Sequence, residues 1–165
     1  MNTAYIALGS NLDHPLRQLR QARSAISDLR LTELLRCSSV YQTDPLGYAD
    51  QPDFYNAVCA VATDLSPQAL LSALQGIEHA QGRERLHGKN EPRTLDLDIL
   101  LYADQVVKQP DLVIPHAHML ERAFVIIPLL EIAPDLIVPG AGPLQGYLKS
   151  VKNQGIRKLQ KSWRG

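Results

Sequence analysis

Residues 92–102 read PRTLDLDILLY. Apolar and acidic residues alternate strictly from Leu95 to Ile99, the two-residue period of a β-strand. Leu95, Leu97 and Ile99 then share a face turned towards a core, and Asp96 and Asp98 share the other. The Cβ atoms of the two aspartates stand roughly 6 to 7 Å apart, two residues of strand rise. At that separation two bare carboxylates repel by about 2 to 3 kcal/mol if the effective dielectric is about 20. The pair therefore calls for a cation. Mg²⁺ suits it, being a hard ion that prefers oxygen, keeps several waters and takes one or two protein carboxylates plus phosphate oxygens. Two ions about 3.5 to 4 Å apart would fit between carboxylates so spaced. Asp96 and Asp98 are the candidate metal ligands.

Immediately upstream, residues 82–93 (GRERLHGKNEPR) set the cations Arg83, Arg85, Lys89 and Arg93 against the acids Glu84 and Glu91. Guanidinium forks bind phosphate bidentately and stay charged at any working pH. A basic loop feeding a pair of aspartates spells metal-bound polyphosphate. The chain has no G-x-x-x-x-G-K-[ST], so a nucleotide would not be held by a P-loop.

Further towards the N-terminus, Ser66 and Pro67 supply an N-cap and a first helical proline, and Leu70, Leu71, Leu74 and Ile77 carry a helix towards Gly82. Residues 31–41 and 55–63 read as two strands around the turn-rich insert TDPLGYADQPDF. Residues 3–8 read as a buried first strand ended by Gly9-Ser10-Asn11, and helical spacing follows at Leu16, Leu19, Ala22, Ile26 and Leu29. Downstream, Val113-Ile114-Pro115-His116 leads into a short helical stretch interrupted by Pro128. A Pro/Gly turn region covers residues 139–143, helical spacing resumes at Leu144, Tyr147 and Leu148, and the basic tail GIRKLQKSW offers a last strand. Strands joined both directly and through helices favour an α+β sandwich, a mainly antiparallel sheet with helices packed on it, over a doubly wound sheet.

A chain of 165 residues, 45% of them hydrophobic, is one ordinary domain spanning residues 1–165. Lys plus Arg equals Asp plus Glu at 17 each, so no global field draws the protein to nucleic acid or to a membrane. Cys37 and Cys59 lie in apolar strand-like contexts without C-x-x-C spacing, which predicts small buried thiols in a reducing compartment. The start MNTAYIALGSNL has no basic leader, and the longest apolar run, residues 123–130, is far short of the roughly 20 residues of a membrane span. These features predict a soluble, cytoplasmic protein, and a monomer is the expected state.

Four segments, in order, carry a resemblance over nearly the whole chain: YIALGSNL, TDPLG with QPDFYNAV, PRTLDLDI, and VIPH with ERAFV. Together they resemble the 6-hydroxymethyl-7,8-dihydropterin pyrophosphokinase family of folate biosynthesis. The resemblance implies transfer of a pyrophosphoryl group from ATP to the hydroxymethyl oxygen of a reduced pterin, releasing AMP, in a ferredoxin-like α+β fold. It implies Asp96 and Asp98 as catalytic residues holding two Mg²⁺ ions between ATP and the attacking hydroxymethyl group, Asp96 also at the pterin, and Arg83 and Arg93 as catalytic arginines closing over the phosphates. Leu71, Gln75, Glu78, Arg85, Ile99, His116 and Arg122 fall at ATP-site positions. Phe54 and Phe124 correspond to the rings that sandwich the pterin, Asn56 to the side chain reading its amide edge, and Thr43 and Leu46 to backbone partners.

Plainer readings stand beside these. The chain's only two phenylalanines, Phe54 and Phe124, would ordinarily be core. Arg122 beside Glu121 would be a surface ion pair. His116 and His118 lack a further ligand at zinc spacing. Asn56 inside an apolar strand is harder to dismiss, since a buried amide costs a few kcal/mol unless paired. The chain departs from the family at Asn90 and Ala117, where aromatics are common, and at Phe54, where tyrosine is. Two other classes use parts of the pattern: a nucleotidyl- or glycosyltransferase with D-x-D, and a non-catalytic ferredoxin-like binding module.

Overall fold

The computed structural model describes residues 1–11, 14–43, 53–82, 95–159 and 163. In chain order it contains β1 (Asn2–Ser10), α1 (Pro15–Ser27), β2 (Thr32–Cys37), β3 (Tyr41–Thr43), β4 (Phe54–Thr63), α2 (Pro67–Ala80) and β5 (Asp96–Tyr102). There follow β6 (Val107–Gln109), β7 (Leu112–Ile114), α3 (Ala123–Ile132), β8 (Ile137–Val138), β9 (Gly142–Pro143), α4 (Leu148–Val151) and β10 (Ile156–Lys158). Six strands build one sheet in the order β10-β3-β4-β1-β5, with β2 also paired to β4. All its pairings are antiparallel, as the mixed strand and helix order predicts. No helix among the described residues is long and apolar enough to cross a membrane.

Helices cover the sheet on both faces. Leu19, Ala22 and Ile26 of α1 and Leu70, Leu74 and Ile77 of α2 pack on Ala4, Ile6, Leu8, Ala57, Cys59, Val61, Leu97 and Ile99. On the other face Ala123, Val125, Ile126 and Leu129 of α3 and Val151 of α4 pack with Val58, Leu100 and Leu101. The central strand β4 is buried on both sides, which is why it reads as a continuous apolar run. Ser66 caps α2 as its sequence predicts, its hydroxyl accepting from the Ala69 N–H at 3.1 Å.

The aspartate strand keeps its alternation and then breaks it. The register against β1 passes from Ile6↔Ile99 to Tyr5↔Leu101, leaving Leu100 as the extra residue of a bulge. Ile99 therefore faces the α1/α2 core while Leu100 and Leu101 both join the α3/α4 core. A run of four apolar residues from Ile99 to Tyr102 thus serves two cores.

Three expectations need correction. Residues 31–41 form two strands rather than one, because Ser38 interrupts the ladder. Its N–H donates to the Val58 carbonyl at 2.8 Å, and its hydroxyl, rather than its carbonyl, accepts from the Val58 N–H at 2.9 Å. Pro128 lies inside α3 without ending it; it only withholds the N–H that the Phe124 carbonyl would otherwise receive. Cys37 and Cys59 are not separate thiols, and the reading of a reducing compartment loses their support. They face each other across β2 and β4 with Cα atoms 4.1 Å apart and are joined by a disulfide, a partnership set by strand register and invisible in linear spacing. The tail forms β10 on β3 as expected. Beyond it Trp163 donates its indole N–H to the Ser38 carbonyl at 2.6 Å and lies under Arg23 at 4.6 Å.

Candidate active site

Residues opposite one another in an antiparallel sheet point to the same face. Tyr41 pairs with Asn56, Asn56 with Gly9, and Gly9 with Asp96, giving one row across four strands. One row along, Val58 and Asp98 flank Ala7. At the other end Thr43 pairs with Phe54. Val58 belongs to the α3/α4 core, and the Tyr41 hydroxyl donates to Glu131 of α3 at 2.8 Å. The face carrying Thr43, Phe54, Asn56, Asp96 and Asp98 is therefore the α3 side of the sheet. Asp96 is partly exposed and Asp98 exposed, while Leu95, Leu97 and Ile99 between and beside them are buried.

The first turn of α3 brings further groups to this face. Phe124 is partly buried there, and the Arg122 guanidinium lies 5.5 Å from the centre of its ring, within cation–π range. His116 is tied to the aspartate strand, its N–H donating to the Leu100 carbonyl at the bulge at 3.0 Å. Its Nδ1 accepts from the His118 N–H at 3.2 Å, so the ring proton sits on Nε2. Burial holds the His116 pKa below the ordinary histidine value; Asp98 pulls it up, and Arg122 and His118 push it down again. The ring is thus a neutral Nε2–H donor at neutral pH, within the electrostatic reach of both Asp98 and Arg122.

Asn56 is 7% exposed and donates through Nδ2 to the Thr43 hydroxyl at 3.3 Å. Thr43 thus enters through its side chain, where the sequence offered only its backbone. Glu78, on α2, is 4% exposed and accepts from the Leu97 N–H at 2.7 Å. This bond fixes the backbone between the two aspartates. Leu71 is partly buried against the α1/α2 core, Gln75 is exposed on α2, and Ile99 is buried in that core. These last four residues lie on the α2 side of β5, across its backbone from the carboxylates. Leu46, Arg83, Arg85, Lys89, Asn90 and Arg93 lie outside the described residues.

Asp96 and Asp98 offer hard oxygen donors side by side on an accessible face, a set that fits Mg²⁺ completed by water and phosphate oxygens. Among the described residues no group of three or more His, Cys, Asp or Glu forms a self-sufficient metal cage. Sequence reasoning passed over Gly9, taken for a turn residue. It lies inside β1, between Asn56 and Asp96. Its only sequence signal was a small residue at the end of an apolar alternation.

Residues 5–134 match the family described as 7,8-dihydro-6-hydroxymethylpterin-pyrophosphokinase (HPPK). The 2-amino-4-hydroxy-6-hydroxymethyldihydropteridine pyrophosphokinase of Haemophilus influenzae is 50% identical over 159 residues, covering 96% of this chain and 99% of that protein. The enzyme of the same name from Pseudomonas aeruginosa is 48% identical over 155 residues, 94% of this chain and 95% of its own. Among solved structures, a Plasmodium falciparum HPPK-DHPS triple mutant superposes with a TM-score of 0.72 at 16% identity, over 90% of this chain. This chain spans 44% of that longer one, and the likeness is one of fold.

Proposed function

The chain belongs to the 7,8-dihydro-6-hydroxymethylpterin-pyrophosphokinase family, and from that membership we propose how its own residues perform pyrophosphoryl transfer to hydroxymethyldihydropterin, a step of folate biosynthesis. The observation that carries the proposal is the shared face: two carboxylates, a buried amide, two aromatic rings and a neutral histidine beside an arginine, all on the α3 side of β5, β1 and β4.

The reaction joins the hydroxymethyl oxygen to the β-phosphorus of ATP, breaks the bond from that phosphorus to the bridging oxygen of the α-phosphate, and releases AMP and the hydroxyl proton. Asp96 and Asp98 would hold Mg²⁺, two ions in our reading, and the ion would supply positive charge to offset that of the phosphates as the nucleophile approaches. His116 donates through Nε2 to a phosphate oxygen, and Arg122 places a fixed positive charge beside it. Phe54 and Phe124 hold the flat pterin between their rings. Asn56 meets the ring's amide edge with one acceptor and one donor. Arg83, Arg85 and Arg93 clamp the triphosphate from the basic segment, Leu46 adds a backbone contact to the pterin, and Leu71, Gln75, Glu78 and Ile99 border the nucleotide. Orientation of the two substrates supplies most of what such a transfer asks of a protein. We take residues 1–165 as one catalytic domain, working as a cytoplasmic monomer on small molecules alone.

The test is AMP formation from Mg²⁺-ATP with and without 6-hydroxymethyl-7,8-dihydropterin. Wild type should form AMP only with the pterin. Asp98→Ala should lose about a hundredfold or more of the turnover with an unchanged unfolding transition. Folded wild type that forms no pterin-dependent AMP overturns the reading.

A further inference from the structure

Asn56 has its amide plane set from two sides. On one, Nδ2 donates to the Thr43 hydroxyl at 3.3 Å. On the other, Oδ1 lies over the backbone of Gly9: a Cβ placed there would come within 3.0 Å of Oδ1, and the next nearest atom, the Tyr55 carbonyl oxygen, is at 4.0 Å. Contacts of 3.0 Å lie at the limit of what a real Cβ tolerates, so one of the two groups would have to give. Asn56, buried and tied to Thr43 on its far side, has little freedom to do so.

Gly9 does not adopt the left-handed conformation that favours glycine. It pairs regularly with Asn56 on one strand and Asp96 on the other. A glycine inside a paired strand weakens it, so its presence asks for another reason, and the space over its backbone supplies one. On the assumption of the pterin-binding role proposed above, we infer that Gly9 and Thr43 together determine pterin selectivity. Gly9 leaves the opening into which the Asn56 carbonyl turns, and the Thr43 hydroxyl holds the amide's other end. Oδ1 and the second Nδ2 hydrogen then form the acceptor and donor pair that an amide-edged heterocycle requires. Both residues act through Asn56 and are positioning residues. Thr43 lies at the far end of the row from the aspartates, and although Gly9 pairs with Asp96 through its backbone, a Cβ there would meet only Asn56 Oδ1 and the Tyr55 carbonyl within 4 Å, so nucleotide binding should be indifferent to both.

The experiment measures pterin affinity by fluorescence quenching in the presence of a nonhydrolysable ATP analogue, KM for each substrate from AMP formation, and the unfolding midpoint. The variants are Gly9→Ala, Thr43→Val, Thr43→Ser and, as a control on an exposed glycine with open space around its Cβ position, Gly146→Ala. Gly9→Ala should weaken pterin binding by about tenfold or more, because an edge-reading amide turned out of line leaves buried polar groups unpaired. Its KM for ATP should stay within about twofold of wild type, a change too small to represent a lost contact. Thr43→Val should weaken pterin binding in the same selective way, and Thr43→Ser, which keeps the hydroxyl, should restore it. Gly146→Ala should match wild type. Wild-type pterin affinity in Gly9→Ala overturns the inference, as does an equal loss of ATP and pterin binding. If Gly9→Ala does not fold, the Thr43 pair decides: Val and Ser variants that bind pterin alike overturn it. Wild type that does not bind the pterin overturns the functional reading itself, whereas wild type that binds it alongside an equally competent Gly9→Ala overturns only this inference.

Discussion

Replacing Glu78 by methionine removes the one acceptor identified for the Leu97 N–H while keeping the side-chain length, at a position that is 4% exposed. A hydrogen bond to a charged group contributes about 1.5 to 3 kcal/mol, and a buried N–H left without an acceptor costs about 1 to 3 kcal/mol. These are two views of a single loss and do not add. Methionine also removes the desolvation cost of a buried carboxylate, which offsets part of it. The share of the destabilisation that comes from the Leu97 bond is about 1 to 3 kcal/mol, or roughly 2 to 12 °C in Tm for a domain of this size. Glu78→Gln retains an oxygen that can accept from Leu97 and should lose less. Urea unfolding and thermal melting compare the three proteins, and steady-state kinetics follow the site. Because Leu97 lies between Asp96 and Asp98, loosening its backbone should raise the KM for Mg²⁺-ATP in the methionine variant beyond any change in the glutamine variant. A methionine variant as stable as wild type refutes the reasoning. A glutamine variant as unstable as the methionine one also does, since the carboxylate's charge, and not the bond to Leu97, would then hold the strand.

Two further outcomes test the scaffold. Burial alone would raise the Glu131 pKa, but hydrogen bonds from the Ser39 hydroxyl, the Tyr41 hydroxyl and the Ser39 N–H, with the Lys158 charge, hold it below the ordinary value of 4.5. A carboxylate depressed in the folded state stabilises the fold above its unfolded pKa and loses that contribution as pH falls through its folded value. Urea midpoints should therefore fall on acidification below pH 4.5, and Glu131→Gln should flatten the acid slope; an unchanged slope would show that the Ser39–Tyr41 cluster is not titrating. The Cys37–Cys59 bond closes a separation of 22 residues, for which the chain-entropy argument gives about 3 kcal/mol. A reductant should lower the urea midpoint accordingly and release two titratable thiols, and a midpoint that does not move would mean that the bond contributes nothing in solution.

What could be read from the sequence was local. Alternation from Leu95 to Ile99 places the two aspartates on one face, the Ser66-Pro67 pair starts α2, and the apolar residues 55–63 mark the strand β4. Each depends on periodicity or capping within a few residues. What could not be read depends on partners far along the chain. Ser38 breaks a strand because its hydroxyl meets Val58, 20 residues away; Cys37 meets Cys59 only through the register of β2 on β4; and Glu78 serves a strand that the sequence places beyond a long polar segment. Pro128 misled for a related reason: its helix is held by packing against the sheet, which outweighs a single missing bond. Of the candidate site, the Asp96–Asp98 pair came from alternation and Phe54, Asn56, Phe124, His116 and Arg122 from the family resemblance, and all lie on one face. Gly9 went unnoticed, because only the row Asn56–Gly9–Asp96 gives its small size a meaning.

The position of the aspartates at the sheet's end strand follows from the same constraints. An edge strand presents a row of backbone groups that must be occupied or blunted, and β5 is the last strand in its sheet. Its Leu97 N–H is taken by Glu78 and its Leu100 carbonyl by the His116 N–H. Both bonds fasten the strand to elements that carry site residues, so the groups that quiet the edge also aim the site. Register completes the argument. Sliding β5 by one residue against β1 would turn Leu95, Leu97 and Ile99 out of the α1/α2 core and press Asp96 and Asp98 into it, exchanging three buried apolar side chains for two buried charges. The fold thus rejects any register in which the carboxylates do not face outward, and it does so in large part through Leu95 and Leu97, to which no substrate contact is assigned.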